Sequence, residues 1–234
     1  MNKLTTMLTA AVSLMLAVPA AVAAEVTGNV TVASDYSFRG WSQTTRDPAI
    51  QGGLDVVFES GFSIGTWGSN VNYGANAEGD VASMEWDLYA GWSGEISDGM
   101  ELGVQAIHFE YPGDSDLRYQ EIAVSLSFGD FGLGLNYSPS YLGVSGETFF
   151  YPSASYSYAL TEEISLDFSV GLNIAKSDDF FGDSNEYIDY SASASLPLGG
   201  VNFGLGIFGT NLSDEAGCDR DCEARVVLSL SKDL

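Results

Sequence analysis

The sequence predicts a transmembrane antiparallel β-barrel of about twelve strands, and three observations support this fold class. Apolar side chains alternate with small or polar ones along most of the chain, which is the period-2 pattern of strands with one apolar face. Short turns alternate with longer polar loops, so both chain ends fall on the short-turn side. Beyond the first residues, no segment has the roughly 18 consecutive apolar residues of a membrane-spanning helix.

The clearest hairpin lies at residues 121–137, EIAVSLSFGDFGLGLNY. A two-residue loop of Gly129 and Asp130 sets Phe128 opposite Phe131, so that the apolar residues of both strands share one face. The other face carries Ser, Gly, Ala and Asn, whereas a soluble β-sandwich, the alternative, usually exposes more charge. We therefore expect the apolar face to meet lipid and the small polar face to line a watery lumen.

The same pattern predicts the other strands and their connections. The strands are expected near residues 26–39, 49–59, 61–71, 83–93, 99–109, 118–128, 131–140, 147–159, 163–175, 186–197, 200–211 and 223–234. Trp86 and Trp92 lie towards the two ends of one outward row, as is typical of aromatic belts at membrane interfaces.

The amino terminus has the features of a secretory signal peptide. Lys3 precedes an apolar run over residues 7–18, and a small-residue A-x-A site follows, so we predict cleavage after Ala23. The run is too short to span a bilayer, which disfavours the alternative of an uncleaved anchor. The predicted organisation is a signal peptide at 1–23 and one barrel domain at 24–234, exported through the periplasm to the outer membrane of a Gram-negative bacterium.

The chain is strongly acidic, with 8 basic and 32 acidic side chains and a formal charge of −24. Removal of the signal peptide makes the charge one unit more negative, because it takes away Lys3 and no acid. This charge disfavours nucleic acid as a partner and favours cations as counter-ions or cargo. The alternative is that the negative charge only keeps the protein soluble.

Two cysteines, Cys218 and Cys222, lie close together in a polar segment and predict a disulfide, since the chain is exported. A metal site is the alternative reading, but it requires further ligands. Carboxylates also cluster in two loops and offer oxygen ligands for Ca²⁺ or Mg²⁺, although most acidic loops are only solvated. They are Asp178, Asp179, Asp183 and Glu186, and Asp214, Glu215, Asp219 and Asp221. No regular metal-loop spacing appears, and we predict no metal site and no cofactor.

Several charged residues fall on the inward side of the predicted strands. The expected lumen-lining residues are Asp35, Arg39, Asp55, Glu85, Asp87, Glu121, Asp167 and Asp189, with Arg39 near the long-loop end of the first strand. Carboxylates in a lumen attract cations and repel anions. The alternative is that they pair with Arg39, Tyr89 and Ser hydroxyls and fill a narrow barrel, since twelve strands fall between filled and open barrels.

Catalysis is disfavoured. His108, the only histidine, falls on the outward side of its strand, although Ile107 and Phe109 suggest a bulge there, and no G-x-S-x-G or H-E-x-x-H motif occurs. We predict no catalytic residues.

Residues 28–43, GNVTVASDYSFRGWSQ, resemble the start of the TorF-like family of outer-membrane porins of Gram-negative bacteria. The similarity continues through PAIQGGLD, GTWGSNV and EWDLYAG, and is weaker after about residue 100. The resemblance implies an outer-membrane barrel that conducts solutes. It assigns no catalytic or ligand-binding residues to this chain. Such barrels typically end in an aromatic residue, whereas this chain ends in Leu234.

The sequence therefore predicts a passive diffusion channel for small solutes or cations, in contact with outer-membrane lipid and lipopolysaccharide. The alternative is a closed structural or surface-binding barrel, its acidic loops bridged by divalent cations to lipopolysaccharide.

Overall fold

The computed structural model describes residues 24–212 and 218–234. The predicted signal peptide lies outside the described residues. Within them, no helix is long and apolar enough to cross a membrane.

Twelve antiparallel strands form a closed barrel, as the sequence predicts. Each strand pairs with its neighbours in the chain, and the last strand pairs with the first. The barrel strands are β1 (Ala24–Ala33), β4 (Ala49–Phe58), β5 (Phe62–Asn70), β6 (Met84–Ser97), β7 (Met100–Glu110), β8 (Tyr119–Phe128), β9 (Phe131–Ser138), β10 (Phe149–Ala159), β11 (Ser165–Ala175), β12 (Glu186–Leu198), β13 (Val201–Thr210) and β14 (Arg225–Asp233). A separate two-stranded sheet consists of β2 (Ser37–Phe38) and β3 (Trp41–Ser42).

The connections alternate in length around the barrel, and this prediction is confirmed. Short turns join β4 to β5, β6 to β7, β8 to β9, β10 to β11 and β12 to β13. The long-loop end carries residues 34–48, 71–83, 111–118, 139–148, 176–185, 211–212 and 218–224. Ala24 pairs with Phe58 next to a short turn, and the amide of Leu234 donates to the carbonyl of Gly28, so both ends of the described chain lie at the short-turn end.

The two faces of the wall differ as predicted. The β8–β9 hairpin has the predicted register, with Phe128 opposite Phe131. Large apolar side chains are exposed on the outer surface, among them Leu54, Leu133 and Leu205. Exposed apolar residues in a continuous outer band are what a transmembrane barrel presents to lipid.

The first strand is shorter than predicted. It ends at Ala33, and the predicted continuation to residue 39 is wrong. After Ser34 the chain leaves the wall, forms the β2–β3 hairpin and rejoins the barrel at Ala49. Arg39 therefore does not lie on the first strand but at the tip of this hairpin.

Candidate functional site

Residues 34–48, which we call the lumen hairpin, leave the barrel wall after β1, and their charged side chains form ion pairs on both sides of the lumen. Asp35 forms an ion pair with Arg225 of β14. Arg39 forms an ion pair with Glu121 of β8. Because β8 and β14 are six positions apart in the ring of twelve strands, these two anchors lie on opposite sides of the lumen.

The tip of the lumen hairpin is a tight turn between Phe38 and Trp41. Arg39 and Gly40 have φ values of 48° and 82°, and positive φ at both central residues is the mark of a type I′ hairpin turn. Gly40 also packs closely against β13, since a Cβ added there would lie 2.5 Å from the Cγ2 of Thr210. A glycine at this position thus meets both a backbone and a packing requirement.

Arg39 is held by charge and by aromatic rings. Its two terminal nitrogens donate to the two carboxylate oxygens of Glu121 at 2.8 and 2.6 Å. The guanidinium carbon lies 4.6, 4.8 and 4.5 Å from the ring centroids of Phe38, Phe149 and Tyr151, within the range of cation–π contacts. Arg39 and Glu121 are both buried, so the hairpin tip is fixed by a desolvated, bidentate pair.

The base of the lumen hairpin is held by β14, across the lumen from Glu121. The Asp35 carboxylate accepts hydrogen bonds from the hydroxyls of Ser42 at 2.5 Å and Thr44 at 2.9 Å, in addition to its pairing with Arg225. Arg225 also donates to the carbonyl of Gly40 at 2.7 Å. The base and the tip of the hairpin are therefore linked through one arginine of the barrel wall.

Aromatic side chains fill the long-loop half of the barrel around the lumen hairpin. Phe109 stacks on Tyr119 with ring centroids 4.4 Å apart, and Tyr141 stacks on Phe149 at 3.9 Å. The buried cluster also includes Tyr36, Tyr111, Phe181 and Tyr187. In this structure the long-loop half of the lumen is therefore packed with side chains.

The short-turn half of the lumen is lined instead by serine and glycine. Inward serines face inward glycines across the strands, as for Ser153 and Gly134 or Ser155 and Gly132. A Cβ at Gly132 would lie 2.5 Å from the hydroxyl of Ser155. Small residues on both sides of each pair keep the wall thin and the interior wide.

The space between these halves is a cavity of about 740 Å³, which we call the inner chamber. Its roof is the lumen hairpin, with Asp35, Tyr36, Ser37 and Phe38. Its walls include Asp55, Trp67, Glu85, Asp87, Tyr89, Gln105, Phe109, Ser193, Ser195 and Ser229. The lining includes carboxylates, hydroxyls and aromatic rings, and no Lys or Arg side chain lines it among the described residues.

The structure places every predicted lumen residue inside the barrel, and most of the carboxylates are hydrogen-bonded there. Glu85 accepts from the hydroxyl of Tyr36 at 2.8 Å. Asp55 accepts from Tyr89 at 2.8 Å, Asp167 from Ser157 at 2.7 Å, and Asp189 from Asn173 at 2.7 Å and Tyr151 at 3.1 Å. Asp87 differs, because its buried Oδ1 has no hydrogen-bond partner in the described part of the chain.

Sequence reasoning missed Arg225 and Tyr36 as partners of these acids. Arg225 carries a usable signal, since it alternates with the outward Val226 and Leu228 on the last strand and hence faces inward. Tyr36 carries no such signal, because its place in the lumen depends on the hairpin leaving the wall.

His108 lies on the outer surface, where it interacts with Glu110 and Gln120 at 3.2 and 2.9 Å. The predicted bulge at this point is wrong, since the β6–β7 register is continuous here and its irregularity lies between Glu95 and Ser97. Ile107 and Phe109 face the lumen because they alternate normally with His108.

At the long-loop end, Cys218 and Cys222 form a disulfide with Cα atoms 5.7 Å apart. Asp214 and Glu215 lie outside the described residues. The described residues hold no group of three or more His, Cys, Asp or Glu arranged to bind a metal ion.

Comparison with known proteins assigns a family. Residues 17–233 match the model of a family described as bacterial proteins of unknown function (Gcw_chp). The chain belongs to this family. No curated protein matches the sequence. The resemblance of residues 28–43 to TorF-like porins stays a prediction.

Two solved structures share the fold. The NanC porin aligns with a TM-score of 0.56 and 9% identity over 87% of this chain and 97% of its own. The KdgM porin aligns with a TM-score of 0.52 and 6% identity over 88% of this chain and 98% of its own. At these identities the likeness is one of fold.

Proposed function

We propose that the protein is a channel of the Gram-negative outer membrane that admits small solutes by passive diffusion and prefers cations. The closed barrel with its apolar outer band supports this location. The likeness to the NanC and KdgM porins supports a channel among the functions that such a barrel serves.

The inner chamber is the observation that carries the proposal. It combines Asp55 and Asp87 with serine hydroxyls, and it lacks a lining Lys or Arg in the described part of the chain. A cavity with one sign of charge and low-dielectric walls concentrates ions of the opposite sign. Cations are therefore favoured over anions in the chamber.

The lumen hairpin is the constriction in this proposal. It separates the chamber from the long loops, and its anchors are the charged pairs of Arg39 with Glu121 and Asp35 with Arg225. Passage across the barrel then requires the hairpin to shift. Water can take over the hydrogen bonds of both side chains in each of these pairs, so anchors of this kind permit such a shift.

A closed barrel with a structural or surface-binding role is the second candidate. It is favoured by the packing of the long-loop half, where both anchors and the aromatic cluster are buried. In this case the acidic loops bind lipopolysaccharide through divalent cations, and the lumen does not conduct.

The test is the reversal potential of the purified, refolded protein in a planar bilayer across a KCl gradient. A channel gives current steps with a cation-selective potential, whereas a folded, inserted barrel without current supports the structural role.

Replacement of Asp55, Asp87 and Asp167 together by Asn should move the reversal potential towards zero. The matched control removes as much charge from the exposed loop residues Asp178, Asp179 and Asp183. If both triple variants shift the potential equally, the lumen acids do not set the selectivity.

A further inference from the structure

Asp87 is a buried carboxylate that receives no side-chain hydrogen bond from any described residue. Its side chain is 8% exposed and lines the inner chamber. Oδ1 is inaccessible to bulk solvent and receives no hydrogen bond from any described residue. An unpaired buried carboxylate oxygen is costly, and in native proteins it commonly marks a site where something else binds.

The other charges near the chamber are already engaged. Glu85 accepts from Tyr36 and Asp55 accepts from Tyr89. Arg39 pairs with Glu121 and Arg225 pairs with Asp35. Neither arginine lines the chamber, and no Lys or Arg of the described residues forms an ion pair with Asp87.

Aromatic rings line the same space. Trp67, Tyr36 and Phe109 contribute to the chamber wall and roof, and the rings of Tyr36 and Trp67 meet edge-on at 5.4 Å. Aromatic faces attract cations and also cover alkyl groups. A bare metal ion is disfavoured, because the described residues supply no group of three metal-binding side chains.

We propose that the inner chamber is a binding site for a small organic ammonium ion. One N–H of the ammonium group donates to the carboxylate of Asp87, and the alkyl part lies against Trp67, Tyr36 and Phe109. This inference rests on the proposed function, since a channel for cations brings such solutes into the lumen, and it names the class of solute.

The test is calorimetric titration of the refolded protein in detergent micelles with three probes. n-Butylammonium carries both charge and N–H donors, 1-butanol has the same chain without charge, and tetramethylammonium has charge without donors. We expect saturable binding of n-butylammonium and weaker binding of both others, by about tenfold or more. Equal affinity for 1-butanol and n-butylammonium would overturn the proposal.

Asp87→Asn should weaken n-butylammonium binding by about ten- to a hundredfold, because it removes the charge from the hydrogen-bond acceptor. The substitution breaks no hydrogen bond of the side chain to a described residue, so folding should persist, as circular dichroism will show. Asp130→Asn is the matched control, since Asp130 is exposed at the short turn between β8 and β9, away from the chamber, and it should bind as the wild type does.

A second variant covers the case in which Asp87→Asn does not fold. Gln105→Arg places a positive charge in the chamber from β7 and should also abolish binding. Unchanged affinity in either folded variant would refute the site.

The titration tests the ammonium site and the bilayer experiment tests the channel, so a negative result in one does not decide the other. Micelles require no conduction, so binding without current retains the ammonium site and removes the channel. Current without binding retains the channel and removes this site.

Discussion

Arg39 and Glu121 illustrate how a polar pair is accommodated inside the barrel. Both side chains are buried, and Asn136 donates a further hydrogen bond to Glu121 at 2.9 Å. Desolvation of two charges is expensive, and only a geometry with paired hydrogen bonds offsets it. The positive φ of Arg39 adds a backbone cost of about 1 to 2 kcal/mol. The ion pair with Glu121 and the aromatic contacts of the guanidinium must offset this cost as well.

Removal of one charge from this pair should destabilise the barrel strongly. We expect Glu121→Gln to lower the free energy of unfolding by about 3 to 5 kcal/mol, because Arg39 stays buried without a counter-charge. The measurement is urea unfolding in detergent micelles. Arg46→Gln is the control from the same hairpin, since its pair with Glu223 is exposed and should be worth about 1 kcal/mol or less. Similar losses in the two variants would contradict a desolvated anchor.

Glu147 joins the long loops at residues 139–148 and 176–185. Its carboxylate accepts hydrogen bonds from the amides of Lys176 and Ser177 at 2.6 and 2.9 Å, and from the Ser177 hydroxyl at 2.5 Å. Burial by itself raises the pKa of Glu147, but the hydrogen bonds from Ser177 and Lys176 outweigh it and lower the pKa below its ordinary value of 4.5.

A lowered pKa in the folded state means that the carboxylate stabilises the fold above pH 4.5, and that this contribution is lost as the pH falls through the folded value. Glu147→Gln should therefore be less stable than the wild type at neutral pH, and the difference should shrink in acid. Urea midpoints across the pH range measure it. Glu162→Gln, at an exposed short turn, is the matched control for the substitution itself. A difference that is constant with pH would exclude the linkage.

At the scale of elements, the alternating sequence pattern does not predict the lumen hairpin. In VASDYSFRGW the period-2 alternation of Asp35, Ser37 and Arg39 with Tyr36 and Phe38 continues beyond the end of β1. A segment packed inside the lumen faces polar groups and aromatic rings, so it needs the same mixture of side chains as a strand. Whether this segment continues the strand or leaves the wall depends on the space inside a twelve-stranded barrel. A short stretch of sequence carries no information about that space.

Gly40 offers a way to displace the hairpin without touching its charges. We expect Gly40→Ala to cost about 1 to 3 kcal/mol, because the new Cβ would overlap Thr210 and the carbonyl of Gly209, 2.5 and 2.7 Å away. Gly74→Ala is the control, as its φ of +70° imposes a similar backbone strain with no atom within 4 Å. Urea unfolding compares the two.

The same pair of variants tests the role of the hairpin in conduction. If the lumen hairpin is the constriction, Gly40→Ala should raise the single-channel conductance and Gly74→Ala should not. Lower stability of Gly40→Ala with unchanged conductance would show that the hairpin is structural only.

At the scale of the molecule, the strand pattern and connection lengths predict the barrel almost completely. Both are local consequences of one requirement, that each strand presents alternate residues to lipid and to the lumen. The site is predicted less well. The positions of Asp55, Asp87 and Glu121 follow from the side-chain alternation, but their partners come from distant strands and from the hairpin. Whether a carboxylate is paired or free is therefore a property of the closed barrel alone.

The assignment of the two faces makes a prediction about adjacent residues near the middle of β14. Leu228 is 59% exposed on the outer band, opposite Leu205 of β13, while Ser229 lines the inner chamber. In phospholipid vesicles, Leu228→Arg should lower the free energy of unfolding by about 2 to 4 kcal/mol, since it places a charge in the hydrocarbon.

Ser229→Arg carries the same charge and differs by one position, yet it should cost clearly less if the chamber holds water, because its side chain enters a cavity already lined by Asp55 and Asp87. Urea unfolding of both variants in vesicles gives the comparison. A cost at Ser229 as large as that at Leu228 would mean that the chamber does not hold water, and a chamber without water cannot pass ions. The pair of variants thus tests the condition on which conduction through this barrel depends.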